Sequence, residues 1–170
     1  MKKILHLTLF LAIISGIAGG ALAFVNSITK PIIDANALKE VQATLEEFFP
    51  NGTFNEVTLN GESEIITNIY EAKDKGVVYK VSSQGFKDKI IFLVAVDTDE
   101  NFVGYKVTQN LDTQGIGDRI DKAEFTDMFM EQSIDSQVDT LSGATYSSKA
   151  VVKGLEEVVK YHKANYSEGC

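Results

Sequence analysis

Residues Ile4 to Val25 form an uncharged run of 22 residues in which only His6, Thr8 and Ser15 are polar or ionisable. Wound as an α-helix, the run is about 33 Å long, enough to cross a hydrocarbon core of about 30 Å. A chain carrying such a segment either keeps it in a bilayer or loses it. Ala21-Leu22-Ala23 fits the small-residue cleavage pattern of a secretory signal, yet the run exceeds the roughly 7–15 apolar residues of a signal's central region. Both readings carry the rest of the chain across the membrane. Lys2 and Lys3 place the N-terminus on the cytoplasmic side by the positive-inside rule. Gly16 and Gly20 make a GxxxG spacing that lets another helix approach, a weak signal because glycine is common in membrane spans.

Beyond the span the balance is acidic. The 16 basic side chains less Lys2 and Lys3 leave 14 against 24 acidic ones, or −10 for residues 26–170. That excess favours solubility and argues against nucleic-acid binding, which needs a basic patch. One cysteine, Cys170, allows no internal disulfide and no thiolate cluster, and His6 and His162 stand far apart without metal-ligand spacing. Pro31 is expected to interrupt or restart the helix. A second helical pattern runs from Asp34 through Leu38, Val41, Leu45 and Phe48 to Pro50-Asn51-Gly52.

Strand signals follow. Asn60-Gly61 between two apolar segments predicts a hairpin turn. Val77, Tyr79 and Val81 alternate with Val78, Lys80 and Ser82 as a half-buried strand. Gln84-Gly85-Phe86 turns into an apolar run at 89–96, read as a strand buried on both faces. Asp97–Asn101 turns again, and Phe102–Gln109 returns as a strand. Phe125, Met128 and Phe129 predict a short helix near Lys122–Met130. Val151, Val152, Leu155, Val158 and Val159 mark one face of a closing helix over about 147–166. The fold class is α+β: a single N-terminal transmembrane helix, then a mainly antiparallel sheet packed with helices. Expected boundaries are an anchor at 1–30, a membrane-proximal helix and linker at 31–60, and an extracytoplasmic domain at 61–170.

Two segments carry chemistry. Asn110–Ile120 places Gly115 and Gly117 two residues apart, which implies unusual backbone angles or a close approach to the main chain. Asp139-Thr140-Leu141-Ser142-Gly143-Ala144-Thr145-Tyr146-Ser147-Ser148 leads into the closing helix. Thr145, Ser147 and Ser148 therefore lie at or near a helix N-terminus, whose first N–H groups lack partners and whose dipole favours negative charge. A hydroxyl there either caps the helix or carries a phosphate that those N–H groups hold.

Asp-x-x-Ser-Gly-Ala-Thr at Asp139–Thr145 resembles the flavinylation motif of the FMN-binding domain family. That family includes the G subunit of Rnf electron-transport complexes and the C subunit of the sodium-pumping NADH:quinone reductase. The resemblance implies covalent FMN on Thr145 through a phosphoester, installed by an FAD-dependent flavin transferase. It implies that Asp139, Ser142, Gly143 and Ala144 are read by the transferase and present the hydroxyl, with Tyr146 beside the attachment point. Asn110–Ile120 resembles the family's Glu-Thr-Pro-Gly-x-Gly segment, with Asp112 for Glu and Gln114 for Pro. Thr113, Gly115 and Gly117 are then expected to line the flavin site. The implied function is electron relay in a membrane complex coupling ferredoxin:NAD-type electron transfer to ion translocation, with other Rnf-type membrane subunits as partners. Two rivals are a stand-alone anchored flavoprotein for extracellular electron transfer and an unflavinylated scaffold or binding module. The resemblance also favours a retained single-pass anchor in the cell membrane, with the flavin domain extracytoplasmic.

Overall fold

The computed structural model describes residues 2–59 and 63–167. The Asn60-Gly61 turn and Cys170 lie outside the described residues. The chain divides into two compact units, Met1–Ala43 and Thr44–Cys170.

The first helix, α1, runs from Lys2 to Phe48 without a break. Pro31 therefore does not interrupt it, contrary to expectation. A proline deletes one backbone donor, and a helix of 47 residues retains the bonds on either side. Within it, His6–Lys30 is apolar and long enough to span a bilayer. Apolar side chains such as Leu9, Phe10, Leu11, Ile13, Ile17, Leu22 and Phe24 are all exposed. A helix that is apolar all round suits lipid rather than one side of a soluble core. Three of its hydroxyls are satisfied locally: Thr8 Oγ1 donates to the Ile4 carbonyl at 2.9 Å, Ser27 Oγ to Phe24 at 2.8 Å and Thr29 Oγ1 to Val25 at 2.9 Å. No polar side chain among these three needs water or a partner helix.

The second unit is a five-stranded antiparallel meander, ordered β1-β2-β3-β4-β5 as in the chain. Its strands are β1 (Phe54–Val57), β2 (Ile66–Ala72), β3 (Gly76–Gln84), β4 (Lys89–Asp97) and β5 (Phe102–Gln109). Short connections join each pair, so every ladder is antiparallel. β4 is interior and buried on both faces, as its continuous apolar run requires: Phe92, Leu93, Val94, Ala95 and Val96 are fully buried.

One face holds the main core. Tyr79, Val81, Phe92, Val94 and Phe102 pack with Phe125 and Phe129 and with the last helix. The closing helix, α3, spans Thr145–Asn165 and buries Ala150, Val151, Leu155, Val158 and His162 at helical spacing. Gly154 lets it approach β4, since a Cβ there would lie 2.7 Å from the Phe92 ring. Val152 and Val159 flank this face and are partly buried.

The other face is covered too, which makes β3 more than half-buried. Val78 pairs with Ala95, and Ala95 with Gly104. Phe48 lies over this row so closely that a Cβ on Gly104 would be 2.5 Å from its ring. Val78 is consequently fully buried. A 3-10 turn at Gly117–Asp121 follows β5. The predicted Lys122–Met130 helix shrinks to α2, Ala123–Thr126. Successive turns carry the chain onward through Met128→Phe125, Phe129→Thr126 and Gln132→Phe129 backbone bonds. These turns still place Phe129 edge-on against Phe102 and Tyr105.

Candidate functional site

Three segments distant in sequence meet at one end of the sheet: the β3–β4 turn, the glycine loop after β5 and the start of α3. Together they form a cleft of about 290 Å³ lined by Phe86, Asp112–Thr113, Ile116–Gly117 and Gly143–Ser147.

Leu141-Ser142-Gly143-Ala144 is a β-turn that leads into Thr145. The Ala144 N–H donates to the Leu141 carbonyl at 3.1 Å, and Gly143 has φ +83°. That is the third-position angle of a type II turn, which favours glycine. Arg119 braces the turn by donating from Nη1 to the Ser142 carbonyl at 3.0 Å. Arg119 is held in turn by a forked pair with Glu124, at 2.7 and 2.8 Å. A Cβ on Gly143 would sit 2.9 Å from that guanidinium.

The helix start differs from the capping expectation. Its N-cap is Ala144, and no side chain caps it. Thr145 is the first helical residue and is exposed. Ser147 and Ser148 are buried and bonded: Ser147 Oγ donates to Asp112 Oδ2 at 2.6 Å, while Ser148 Oγ donates to the Ala144 carbonyl at 3.0 Å and accepts the Leu141 N–H at 2.9 Å. Within the helix's first four residues, Thr145 thus presents the one aliphatic hydroxyl that solvent reaches. Beside it lie backbone N–H groups without a helical partner and the positive end of a helix of 21 residues.

The glycine loop is built to bring Asp112 to this point. Asn110 Nδ2 donates to the Gly117 carbonyl at 2.9 Å, and Asn110 Oδ1 accepts the Asp112 N–H at 3.0 Å. Gly115 takes φ +80° at the open apex. Gly117 is needed for a different reason: a Cβ there would meet Asp112 Cβ at 2.5 Å and Ser147 Oγ at 3.0 Å. Asp112 also accepts the Phe86 N–H at 3.2 Å and the Lys87 N–H at 2.8 Å. Burial alone would raise its pKa. The Lys87 amide, the Ser147 hydroxyl and the Phe86 amide outweigh that and hold the carboxyl below its ordinary value.

The described apolar side chains exposed in the second unit gather here. Phe86 (62% exposed), Leu111, Ile116 and Tyr146 (73%) are large hydrophobics left in solvent around the cleft or next to it. Phe86 and Tyr146 face each other with ring centroids 5.5 Å apart.

Of the residues anticipated from sequence, Gly143, Ala144, Thr145, Tyr146, Thr113 and Gly117 converge on the cleft. Asp139, Ser142 and Gly115 are exposed and do not line it. Phe86, Ile116 and Arg119 belong to the site although no sequence pattern singled them out for it, and Ser147, noted only as a helix-start hydroxyl, enters it as the partner of Asp112. Phe86 carried one usable signal, a large apolar residue at the tip of a turn.

A flavin nucleotide fits this chemistry. A planar aromatic ring finds apolar side chains, a phosphoryl group finds a helix N-terminus, and two small residues precede the hydroxyl. The cleft's volume is at the low end of the roughly 300–1,000 Å³ of ligand pockets. It can seat an edge or face of such a ring without enclosing it.

Comparison with known proteins agrees. The family model for the FMN-binding domain matches residues 85–160, and that for the RnfG N-terminal region matches residues 1–48. The G subunit of the ion-translocating oxidoreductase complex of Methanosarcina acetivorans is 25% identical, over 96% of this chain and 96% of its own. The G subunit of the proton-translocating ferredoxin:NAD(+) oxidoreductase complex of Clostridium ljungdahlii is 27% identical, over 94% and 91%. The corresponding G subunit of Photorhabdus laumondii is 26% identical, over 89% and 86%. Residues 85–160 thus form an FMN-binding domain and residues 1–48 an RnfG N-terminal region, and along its length the chain is similar to the G subunits of ion-translocating oxidoreductase complexes.

Proposed function

We propose that this protein is the flavin-bearing electron-carrier subunit of an Rnf-type membrane complex, with FMN esterified to Thr145. The observation that carries the reading is the exposed Thr145 hydroxyl at the first residue of α3, flanked by the Phe86–Tyr146 pair, while Ser147 and Ser148 are buried and bonded. FMN supplies one- and two-electron chemistry, and the protein's part is to hold and orient it. Esterification by an FAD-dependent transferase joins Thr145 Oγ1 to the flavin-side phosphorus of FAD. The pyrophosphate bond breaks, AMP leaves, and the hydroxyl proton passes to solvent.

A covalent bond suits a cleft too small to enclose the cofactor, because affinity from so little contact would be low. The phosphodiester keeps one negative charge, which the α3 terminus stabilises by about 0.3–1 kcal/mol. An unenclosed ring is also open to a docking redox partner. Asp139 and Ser142, exposed just before the cleft, are available for a transferase to read. Residues 1–30 serve as the anchor, with Lys2 and Lys3 cytoplasmic and the flavin domain on the far side. Neighbouring subunits of the complex are the electron donors and acceptors.

Intact mass of the membrane-extracted protein tests this. The expected increment is FMN less one water, on the peptide containing Thr145, and Thr145→Ala should abolish it. An unmodified native chain, or an increment that survives the substitution, refutes the assignment.

A further inference from the structure

Asp112 stands out from the other carboxylates of the second unit. It lies in the loop after β5, yet its described partners come from two other segments, 25 and 26 residues before it and 35 residues after it. Its Oδ1 accepts the Lys87 N–H, and its Oδ2 accepts both the Phe86 N–H and the Ser147 hydroxyl. A carboxylate has enough lone pairs for all three, whereas a carboxamide of the same shape presents one acceptor atom and one donor. The β3–β4 turn makes its own closing bond, Gly85 N–H to the Asp88 carbonyl at 2.9 Å. That bond shapes the turn without fixing where it leans. Phe86 is at the tip and exposed, so packing does not fix it either. The contact that settles its position against Tyr146 is the pair of amides tied to Asp112, which is tied through Ser147 to the first turn of α3.

We infer that Asp112 is the positioning residue of the flavin site: its carboxylate clamps the Phe86 turn to the helix that bears Thr145, and so sets the separation of the two rings against which the flavin rests. This role rests on the proposed flavin attachment, but the clamp is a property of this chain's own residues and has a signature without cofactor. Gly117 and Gly85 support it independently. Added Cβ atoms would come within 2.5 Å of Asp112 Cβ and 2.8 Å of Asp112 Oδ2, so both glycines keep space around this one carboxylate.

The test uses the full-length chain in detergent, unmodified (expressed without a flavin transferase) and flavinylated, as wild type, Asp112→Asn, Asp112→Ser, Asp112→Glu and Ser147→Ala. In the unmodified protein, amide hydrogen exchange at Phe86 and Lys87 should quicken at least tenfold in Asp112→Asn, with amides of the β3–β4 ladder unchanged. Ser147→Ala keeps the carboxylate and should leave those two amides within about threefold of wild type. In the flavinylated protein, Asp112→Asn should carry the same FMN mass increment, but iodide should quench its flavin fluorescence several-fold more effectively. Asp112→Glu should restore most of the protection, since it keeps the acceptor set on a longer arm. Unchanged exchange at Phe86 and Lys87 in Asp112→Asn overturns the clamp, whatever the flavin does. Faster exchange with unchanged iodide quenching overturns the link to the flavin and leaves a purely structural tie. If Asp112→Asn exchanges globally, Asp112→Ser, which takes the carboxylate away without adding bulk, decides: loss of protection at Phe86 and Lys87 alone upholds the clamp, and unchanged protection overturns it. Absence of an FMN increment from wild type produced with the transferase sinks the attachment reading itself, and that result is distinct from any exchange result.

Discussion

Replacing Gly117 by alanine isolates the close approach on which the site is built. Gly117 does not have a positive φ, so the methyl brings no backbone strain of the left-handed kind. It brings a collision. The new Cβ would be 2.5 Å from Asp112 Cβ and 3.0 Å from Ser147 Oγ, both shorter than carbon–carbon contact distances of about 3.5–4.0 Å. Neither neighbour is the free end of a flexible chain, because Asp112 and Ser147 are bonded to each other at 2.6 Å. Relief must therefore move the glycine loop away from α3. Overpacking of this kind costs about 1–3 kcal/mol, and weakening a hydrogen bond to a charged group adds up to about 1.5–3 kcal/mol. The two overlap, so a total of about 2–4 kcal/mol is expected. For a unit of this size that lowers the thermal midpoint by roughly 10 °C. The assay is thermal unfolding followed by near-ultraviolet circular dichroism in detergent, with Gly115→Ala as comparator. Gly115 has φ +80° but open space, so its substitution should cost only the backbone term of about 1–2 kcal/mol. In a Ser147→Ala background the Gly117→Ala cost should shrink by about 1 kcal/mol, because one of the colliding atoms is gone. A Gly117→Ala cost no greater than that of Gly115→Ala, with strict additivity alongside Ser147→Ala, would refute the reasoning.

Thr145→Ala should remove the covalent flavin yet leave unfolding of the unmodified protein within about 0.5 kcal/mol, since Ala144 and not Thr145 is the N-cap; a loss of the 0.5–2 kcal/mol typical of a cap would contradict this. Asp139→Ala should slow flavin loading, measured by intact mass, without changing the thermal midpoint, because Asp139 is exposed and lies outside the cleft. Acid should destabilise the domain in two stages. Burial holds the His162 pKa below its ordinary 6.5, against the opposing pull of Glu100 and Asp97. Its contribution is therefore complete above about pH 6.5 and is lost as the pH falls through the folded-state value. Asp112, also lowered, contributes fully above about pH 4 and loses that contribution as the pH falls further. Midpoint-against-pH curves should lose the upper stage in His162→Gln and the lower stage in Asp112→Asn.

The meander was legible because its signals are local. Alternation in β3, the apolar run of β4 and the turns at 84–86 and 97–101 each state their structure within a few residues. The interruption expected at Pro31 failed because a missing N–H is a single lost bond, small against a helix of 47 residues. The helix expected over Lys122–Met130 failed for a related reason. Spacing of Phe125, Met128 and Phe129 marks one buried side, and consecutive turns satisfy it as well as a continuous helix does. At the site, the hydroxyl-bearing turn could be read because Gly143 and Ala144 signal it in place. Asp112 could be noticed but not interpreted. Its partners at Phe86, Lys87 and Ser147 are set by the folded topology, and no spacing in the chain announces them.

The strand order has a temporal meaning. A sheet whose neighbours are also neighbours in the chain can assemble hairpin by hairpin as synthesis proceeds, with little loop entropy to overcome at each stage. The cleft beside Thr145 is completed near the far end of that programme: its walls come from the β3–β4 turn, then from the loop after β5, and only last from α3. Under the proposed attachment, an enzyme that modifies Thr145 in the folded domain would meet a finished substrate only after α3 has emerged, so cofactor loading would double as a check that the domain has been built.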